Sequence, residues 1–190
     1  MAKLPDIDLD AAPETRAAFA KVAASRGWVS NLMRAMAHAP EALQHYSALG
    51  HYGRYGSDLT EVQRELVIVI TVRGVEYGWT HHSNLARQIG ITGAQLSEIK
   101  AGRTPATMGA AERALSDYVF AFSACAGVPD ALLKATLAHF SPRQVTDIGL
   151  LSAYYIAAGA LIIGLSVEVE PKADLQAELA WQKTTIAARK

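Results

Sequence analysis

The chain has 190 residues, of which 51% are hydrophobic and 19% charged, so it can bury a substantial core within one globular domain. Its 18 basic residues balance its 18 acidic ones, and this balance predicts neither a nucleic-acid partner nor binding to an anionic membrane surface. A single cysteine excludes an internal disulfide framework, and the N-terminal segment lacks the apolar core of a signal peptide, so we expect a cytoplasmic protein.

Helix signals dominate the first part of the chain, after residues 1–12, for which we predict an extended arm. Prolines suit the first position of a helix, and glycines suit the position after its last turn. The predicted helices are Pro13–Arg26, a short one from Ser30 or Asn31 to His38, and one from Pro40 to about His51. The tract HYGRYGSD, rich in glycine and tyrosine, predicts a loop after them.

The stretch Arg64–Gly90 carries the densest set of chemically capable side chains, in two segments that meet at Gly74. Thr60 with Gln63 has the spacing of a capping box and predicts a helix start. The run Leu66–Val72 that follows has no polar face, which fits either a helix buried on every side or a central strand. We favour the helix, because no other segment of the chain is suited to pair with a strand here.

Helical periodicity in the second segment, Val75–Ile89, places His82 on its apolar stripe, over Gly78, where we expect a gap able to admit a small molecule. In an antiparallel hairpin about Gly74, Glu65 and His82 would lie at nearly the same level, because a helix rises about 1.5 Å per residue. Both residues also have purely structural interpretations. A histidine on an apolar stripe is often a core residue, and an acidic side chain near a helix start is stabilised by the helix dipole.

The neighbouring His81 falls on the more polar side of this segment, and we predict a solvated or rim position for it. Adjacent histidines on a helix point in different directions, and neither an HExxH spacing nor a cluster of acids accompanies them. The sequence therefore predicts no metal site.

The second half of the chain again reads as helices. Thr92 with Gln95 has the spacing of a second capping box. Cys125 lies among alanines and predicts an inert core thiol. The predicted helices are Thr92–Gly102, Met108–Ala126, Pro129–His139, Ile148–Val167 and Asp174–Ala188. The fourth is a run of 20 residues without a charge, long enough to span a membrane, but its polar side chains favour a buried helix in an oligomer core.

The segment VEYGWTHHSNLARQIGIT resembles the signature of the carboxymuconolactone decarboxylase-like family, which includes the alkyl hydroperoxidase D-type proteins. In this resemblance His82 takes the place of the family histidine, and Tyr77 and Trp79 match its aromatic pair. The similarity extends over roughly residues 28–170, with the signature in residues 60–90. It implies a single all-α domain over residues 1–190, with an alkyl hydroperoxidase D-like fold and assembly into a homotrimer or homohexamer. We expect about eight or nine helices.

The chain departs from the family pattern at three places. The two cysteine positions of the peroxidase branch fall on Val75 and Gly78, so the redox-active pair is absent. Gly78 also replaces the glutamate that stands between the aromatic residues in the decarboxylase-like branch. Glu65 resembles the upstream glutamate of the family but stands closer to the histidine in sequence.

The resemblance implies a cofactor-free and metal-free enzyme that acts on a small carboxylated lactone or a related keto or enol acid. His82 would be its general acid and Glu65 the residue that orients the imidazole. The side chains expected to hold the substrate are Tyr77, Trp79, His81 and Arg87. The alternative is a helical oligomer that binds a small ligand or partner without catalysis. A thiol peroxidase is disfavoured, because that chemistry needs two thiols within reach of each other.

Overall fold

The computed structural model describes residues 3–9 and 12–187, and the regular structure in this part of the chain is entirely helical. The α-helices are α1 Pro13–Arg26, α2 Asn31–Ala35, α3 Pro40–His51, α4 Glu61–Thr71, α5 Glu76–Gln88, α6 Gly93–Lys100, α7 Ala110–Ser123, α8 Asp130–Leu137, α9 Pro142–Gly164 and α10 Lys172–Ala187. The predicted all-α fold is confirmed. The helices number ten in the described ranges, against the predicted eight or nine, and the short helix predicted from Ser30 or Asn31 is present as α2.

The chain divides into two compact units, of which the first comprises residues 1–51 and 160–190. In this unit α1 packs against α3 around a small apolar core. The core consists of Ala18, Val22, Met33, Ala37 and Leu43, with Ile7, Phe19, Val29, Met36 and Tyr46 packed around it. The Glu170 carboxylate accepts a 2.6 Å hydrogen bond from the backbone N–H of Asn31, which ties the segment before α10 to the start of α2.

The second unit comprises residues 52–159, and α4 lies at its centre. Each residue from Leu66 to Ile70 is fully buried, and α4 packs against α5, α6 and α7. A helix that is apolar on every side requires such an environment, since any exposed face would leave β-branched side chains in water. The choice of a buried helix over a central strand for this run is therefore confirmed.

Both predicted capping boxes are present in this unit. Thr60 accepts a hydrogen bond from the backbone N–H of Gln63, whose side chain accepts one in return, and α4 begins there. Thr92 and Gln95 make the same pair of bonds at the start of α6. Each box pairs two backbone donors that the helix itself leaves without partners, which fixes where the helix begins.

The tract predicted as a loop forms a short π-helix instead, Tyr52–Gly56. Its wide turn is closed by a 2.9 Å hydrogen bond from the backbone N–H of Ser57 to the carbonyl of Tyr52. Gly53 allows the backbone to approach α9 closely, because a Cβ at this position would lie 2.9 Å from Leu151 Cδ1. Long-range packing therefore holds a conformation that the local sequence does not specify.

A buried carboxylate on α9 holds this π-helix in place. Asp147 is only 2% exposed. It accepts a 2.7 Å hydrogen bond from the Tyr52 hydroxyl through one oxygen and a 3.1 Å bond from the backbone N–H of Asp58 through the other. The hydrogen bond to this carboxylate raises the pKa of Tyr52, because it stabilises the protonated phenol.

Helix α9 is long and apolar enough to cross a membrane by length and composition alone, and it is the one such helix in the described ranges. Within its most apolar window 56% of the residues are buried inside the protein. One exposed face remains, on which Leu150, Ala153 and Ala157 succeed one another at helical spacing.

Cys125 corrects one prediction. Its thiol is exposed rather than buried in the core. The residue follows the end of α7 with a positive φ of 54°, and this turn carries the side chain away from the apolar stripe that the helix would have continued.

Candidate active site

Two neighbouring helices bring Glu65 and His82 together. Glu65 lies on α4 and His82 on α5, and the chain reverses between them around Gly74. Glu65 Oε2 lies 2.9 Å from His82 Nδ1, which is a hydrogen-bond distance. The prediction that the two side chains lie at the same level is confirmed. Their catalytic role stays a prediction.

This pair is nearly removed from water, with exposed side-chain fractions of 9% for His82 and 13% for Glu65. Because a carboxylate only accepts hydrogen bonds, the imidazole donates from Nδ1, which leaves Nε2 as the ring nitrogen that Glu65 does not hold. Within residues 3–9 and 12–187, Nε2 has no hydrogen-bond partner. A buried imidazole with one anchored and one open nitrogen is the arrangement that acid–base chemistry requires.

Tyr155 of α9 packs edge-on against the His82 ring, with the ring centroids 4.9 Å apart and the planes at 85°. Tyr154 packs in the same manner against Tyr155 at 5.2 Å, and both tyrosines are buried. Contact with an aromatic ring restricts rotation of the imidazole and reinforces the hydrogen bond from Glu65. The sequence analysis missed Tyr155; its only local signal was a pair of tyrosines in an otherwise apolar run.

The predicted gap over Gly78 is absent, which is the second correction to the sequence analysis. A Cβ at Gly78 would lie 2.8 Å from Val72 Cβ and 3.0 Å from its Cγ1. The side chain of Val72 therefore fills the volume that the missing glycine side chain vacates, and no gap for a small molecule exists there. The glycine allows α5 to approach the end of α4 closely.

His81 corrects a third prediction, because it is buried rather than solvated. Its ring stacks on Tyr77, one turn earlier on α5, with centroids 4.6 Å apart and an interplanar angle of 28°. Tyr77 is buried as well. Tyr77 thus shields His81 from water, although helical periodicity alone had assigned His81 to the polar side of the helix.

Two other residues predicted to bind substrate are engaged elsewhere. The Lys100 ammonium lies 4.6 Å from the ring centroid of Trp79 and donates to the carbonyl of Arg73 at 2.7 Å, so Trp79 serves a cation–π contact between α5 and α6. Arg87 is exposed, and its guanidinium donates to Asn84 Oδ1 at 3.3 Å on the same helix. The structure does not bring either side chain into contact with His82.

A sequence model described as the carboxymuconolactone decarboxylase family matches residues 40–120 of the chain. Over this stretch, which is less than half of the chain, the protein is similar to that family. The match includes α3 to α7 and therefore both members of the Glu65–His82 pair. Val75 and Gly78, at the positions where the sequence resemblance places the cysteines of the peroxidase branch, lie in the same stretch.

Solved structures show the fold that this chain shares. A peroxidase-related protein from Ralstonia eutropha, described as an alkylhydroperoxidase AhpD core, aligns with a TM-score of 0.74 at 20% identity over 90% of this chain and 93% of its own. The debrominase Bmp8 aligns with a TM-score of 0.71 at 17% identity over 93% and 95% of the two chains. A protein of unknown function from Agrobacterium tumefaciens, linked by its description to AhpD, aligns at 0.65 and 20% identity over 72% and 96%. No curated protein matches the chain. The fold is thus AhpD-like.

Proposed function

We propose that the protein is a cofactor-free enzyme of the decarboxylase or lyase type, with His82 as its general acid and Glu65 as the residue that orients it. The observation that carries this proposal is the buried imidazole whose Nδ1 is bound to Glu65 while Nε2 has no partner among the described residues. The substrate class we propose is a small carboxylated lactone or a related keto or enol acid, as in the decarboxylases after which the family is named.

Decarboxylation of such a substrate proceeds in two steps, the loss of CO₂ and the protonation of carbon. When the bond between the carboxylate and the adjacent carbon breaks, CO₂ leaves and the bonding electrons move into the conjugated carbonyl. The resulting enolate must then receive a proton at carbon. An imidazolium whose Nε2–H faces the substrate supplies this proton, because histidine is the side chain most often used for general acid–base catalysis.

Glu65 and Tyr155 support this transfer without touching the substrate. The carboxylate fixes the tautomer of His82, and Tyr155 holds the ring plane. Exclusion of water matters equally, because it strengthens the electrostatic contact between carboxylate and imidazolium and keeps bulk solvent from quenching the enolate.

The thiol-based chemistry of related folds is not proposed for this chain. Hydroperoxide reduction by two thiols requires both within bonding distance, and the single cysteine, Cys125, is exposed after α7. The remaining alternative is a non-catalytic oligomer that binds a small acid at the Glu65–His82 pair. Both interpretations use the same buried imidazole, so an experiment must separate turnover from binding.

Turnover and thermal stabilisation, measured with the same compounds, separate these two interpretations. We expect 4-carboxymuconolactone or another carboxylated lactone in a small panel to release CO₂ in the presence of the protein, at a rate proportional to its concentration. Decarboxylated analogues of the same compounds are the control, since they can bind but cannot release CO₂. An increased melting temperature with carboxylated compounds, without CO₂ release from any of them, would support the binding protein instead.

We also propose that the protein assembles with itself, as a homotrimer or homohexamer, without a nucleic-acid or membrane partner. The support is the exposed apolar face of α9 with Leu150, Ala153 and Ala157, since soluble monomers rarely expose large continuous apolar patches. Light scattering in detergent-free buffer should give a mass of three or six chains. Leu150→Glu should shift this mass towards the single chain, whereas a wild-type monomer would contradict the proposal.

A further inference from the structure

An open groove of about 500 Å³ lies in the first unit, where α1 packs against α3. This volume is in the range of pockets that hold small organic molecules. Its lining consists of Lys21 and Val22 from α1 and Gln44, His45, Ser47, Ala48 and His51 from α3. Neither Glu65 nor His82 contributes to it, so the groove is independent of the function proposed above.

The floor of the groove contains a buried hydroxyl. Ser47 is only 7% exposed. Other helical hydroxyls donate to the carbonyl one turn earlier, as Ser97 does to Gly93 and Thr146 to Pro142, both at 2.9 Å. Ser47 makes no such bond, and within the described ranges its hydroxyl has no hydrogen-bond partner. A buried hydroxyl without a partner lowers stability, which indicates that a group absent from the free chain accepts from it.

The polar groups around this hydroxyl are hydrogen-bond donors. The Lys21 ammonium donates to Gln44 Oε1 at 2.6 Å, which holds the amide so that its NH₂ group remains available. His45 and His51 also line the groove, and no carboxylate belongs to the lining. The Glu41 carboxylate lies 4.0 Å from His45 Nε2, on the preceding turn of α3. A site where the Lys21 ammonium, the Gln44 amide and the Ser47 hydroxyl offer donors selects an anionic acceptor.

The remaining walls are apolar. Val22 is almost fully buried beside Ser47, and Ala48 extends the same surface on α3. We infer that this groove binds a small organic anion, with its acidic group between Lys21 and Ser47 and its hydrocarbon body against Val22 and Ala48. An inorganic anion would leave the apolar walls uncovered, and a neutral hydrocarbon would leave the donors without acceptors.

Calorimetric titration of the full-length protein with hexanoate at low ionic strength tests this inference, with 1-hexanol and hexylammonium as matched neutral and cationic probes. We expect hexanoate alone to bind. Lys21→Met should weaken it about fivefold, since a partly exposed ion pair contributes on that scale. Ser47→Ala should weaken it several-fold by removing a hydrogen bond, whereas Ser97→Ala and Lys134→Met should change nothing, because these residues lie on α6 and α8 outside the groove.

The location of binding is checked with His82→Gln, which should bind hexanoate as the wild type does. Loss of binding in that variant would place the anion at the Glu65–His82 pair and overturn the assignment to the groove. Equal binding of 1-hexanol and hexanoate, no binding of hexanoate, or full affinity in Lys21→Met would each overturn it as well. Lys21 is exposed, so Lys21→Met decides the question even if Ser47→Ala fails to fold.

Discussion

Replacing His82 with glutamine is expected to lower kcat by roughly 10²–10⁴, the usual contribution of a general acid or base. Glutamine keeps the helix and can donate a hydrogen bond to Glu65, but it cannot deliver a proton to carbon. The melting temperature should change little, because the replacement has a similar volume and remains hydrogen-bonded at a site where the imidazole made one hydrogen bond. The measurement is CO₂ release and thermal unfolding on the same preparation.

A matched control for this experiment is His139→Gln, at an exposed histidine that follows α8. It should leave both kcat and the melting temperature unchanged. A purely structural His82 would leave kcat per folded molecule unchanged in His82→Gln, whatever the effect of the substitution on the melting temperature. Activity per folded molecule unchanged in His82→Gln would therefore refute the catalytic assignment.

Glu65→Gln adds a second test of the same pair. Because we expect Glu65 to act only through the imidazole, its removal should lower kcat less than His82→Gln does. Adding it to His82→Gln should cause no further loss, since residues that act as one unit have non-additive effects. Equal and additive losses would indicate that the carboxylate contacts the substrate itself.

Gly78→Ala is expected to destabilise the fold by about 1–3 kcal/mol, the usual cost of inserting a methyl group into a well-packed region. The new Cβ would lie 2.8 Å from Val72 Cβ, and both residues are buried where α4 ends and α5 begins. Chemical denaturation measures the loss. Gly78→Leu should be worse, because three further carbon atoms would enter the same filled volume.

Gly74→Ala is the matched control for this overlap. Gly74 is exposed and lies four residues before Gly78, between α4 and α5. A Cβ at Gly74 would meet no atom within 4 Å. We expect a neutral or slightly favourable effect, because alanine restricts the unfolded chain. In combination with Val72→Gly, which removes the Cβ that makes the closest contact, Gly78→Ala should cost less than it does alone. Equal stability of the Gly78→Ala and Gly74→Ala variants would show that the contact with Val72 is not tight.

The features that the sequence predicted correctly are those set by local chemistry or by helix geometry. Thr60 with Gln63 and Thr92 with Gln95 cap their helices through bonds that span three residues, so no knowledge of the rest of the fold is needed. The Glu65–His82 pair required one more assumption, that two helices reverse about a glycine, after which the rise per residue fixed their levels.

The features that were missed depend on which distant segments pack together. Tyr155 reaches His82 from another helix, and the π-helix at Tyr52–Gly56 is anchored by a buried carboxylate on α9 that accepts a hydrogen bond from the Tyr52 hydroxyl. Periodicity assigned His81 to the more polar side of its own helix, but it could not show that this side is buried in the fold. The direction of a side chain is a local property, whereas its burial depends on the whole fold.

The close contact between Val72 and Gly78 also constrains how this protein could change its chemistry by mutation. Cysteines introduced at Val75 and Gly78 would have the spacing of the cysteine pair in the peroxidase branch that the signature resembles, but the second would place its Cβ against Val72 Cβ. Only replacement of Val72 by glycine removes that atom, and this opens a cavity in the core before the second thiol is gained. The route from the present chain to a dithiol site therefore passes through a less stable intermediate, and the order of the substitutions determines whether each step remains folded.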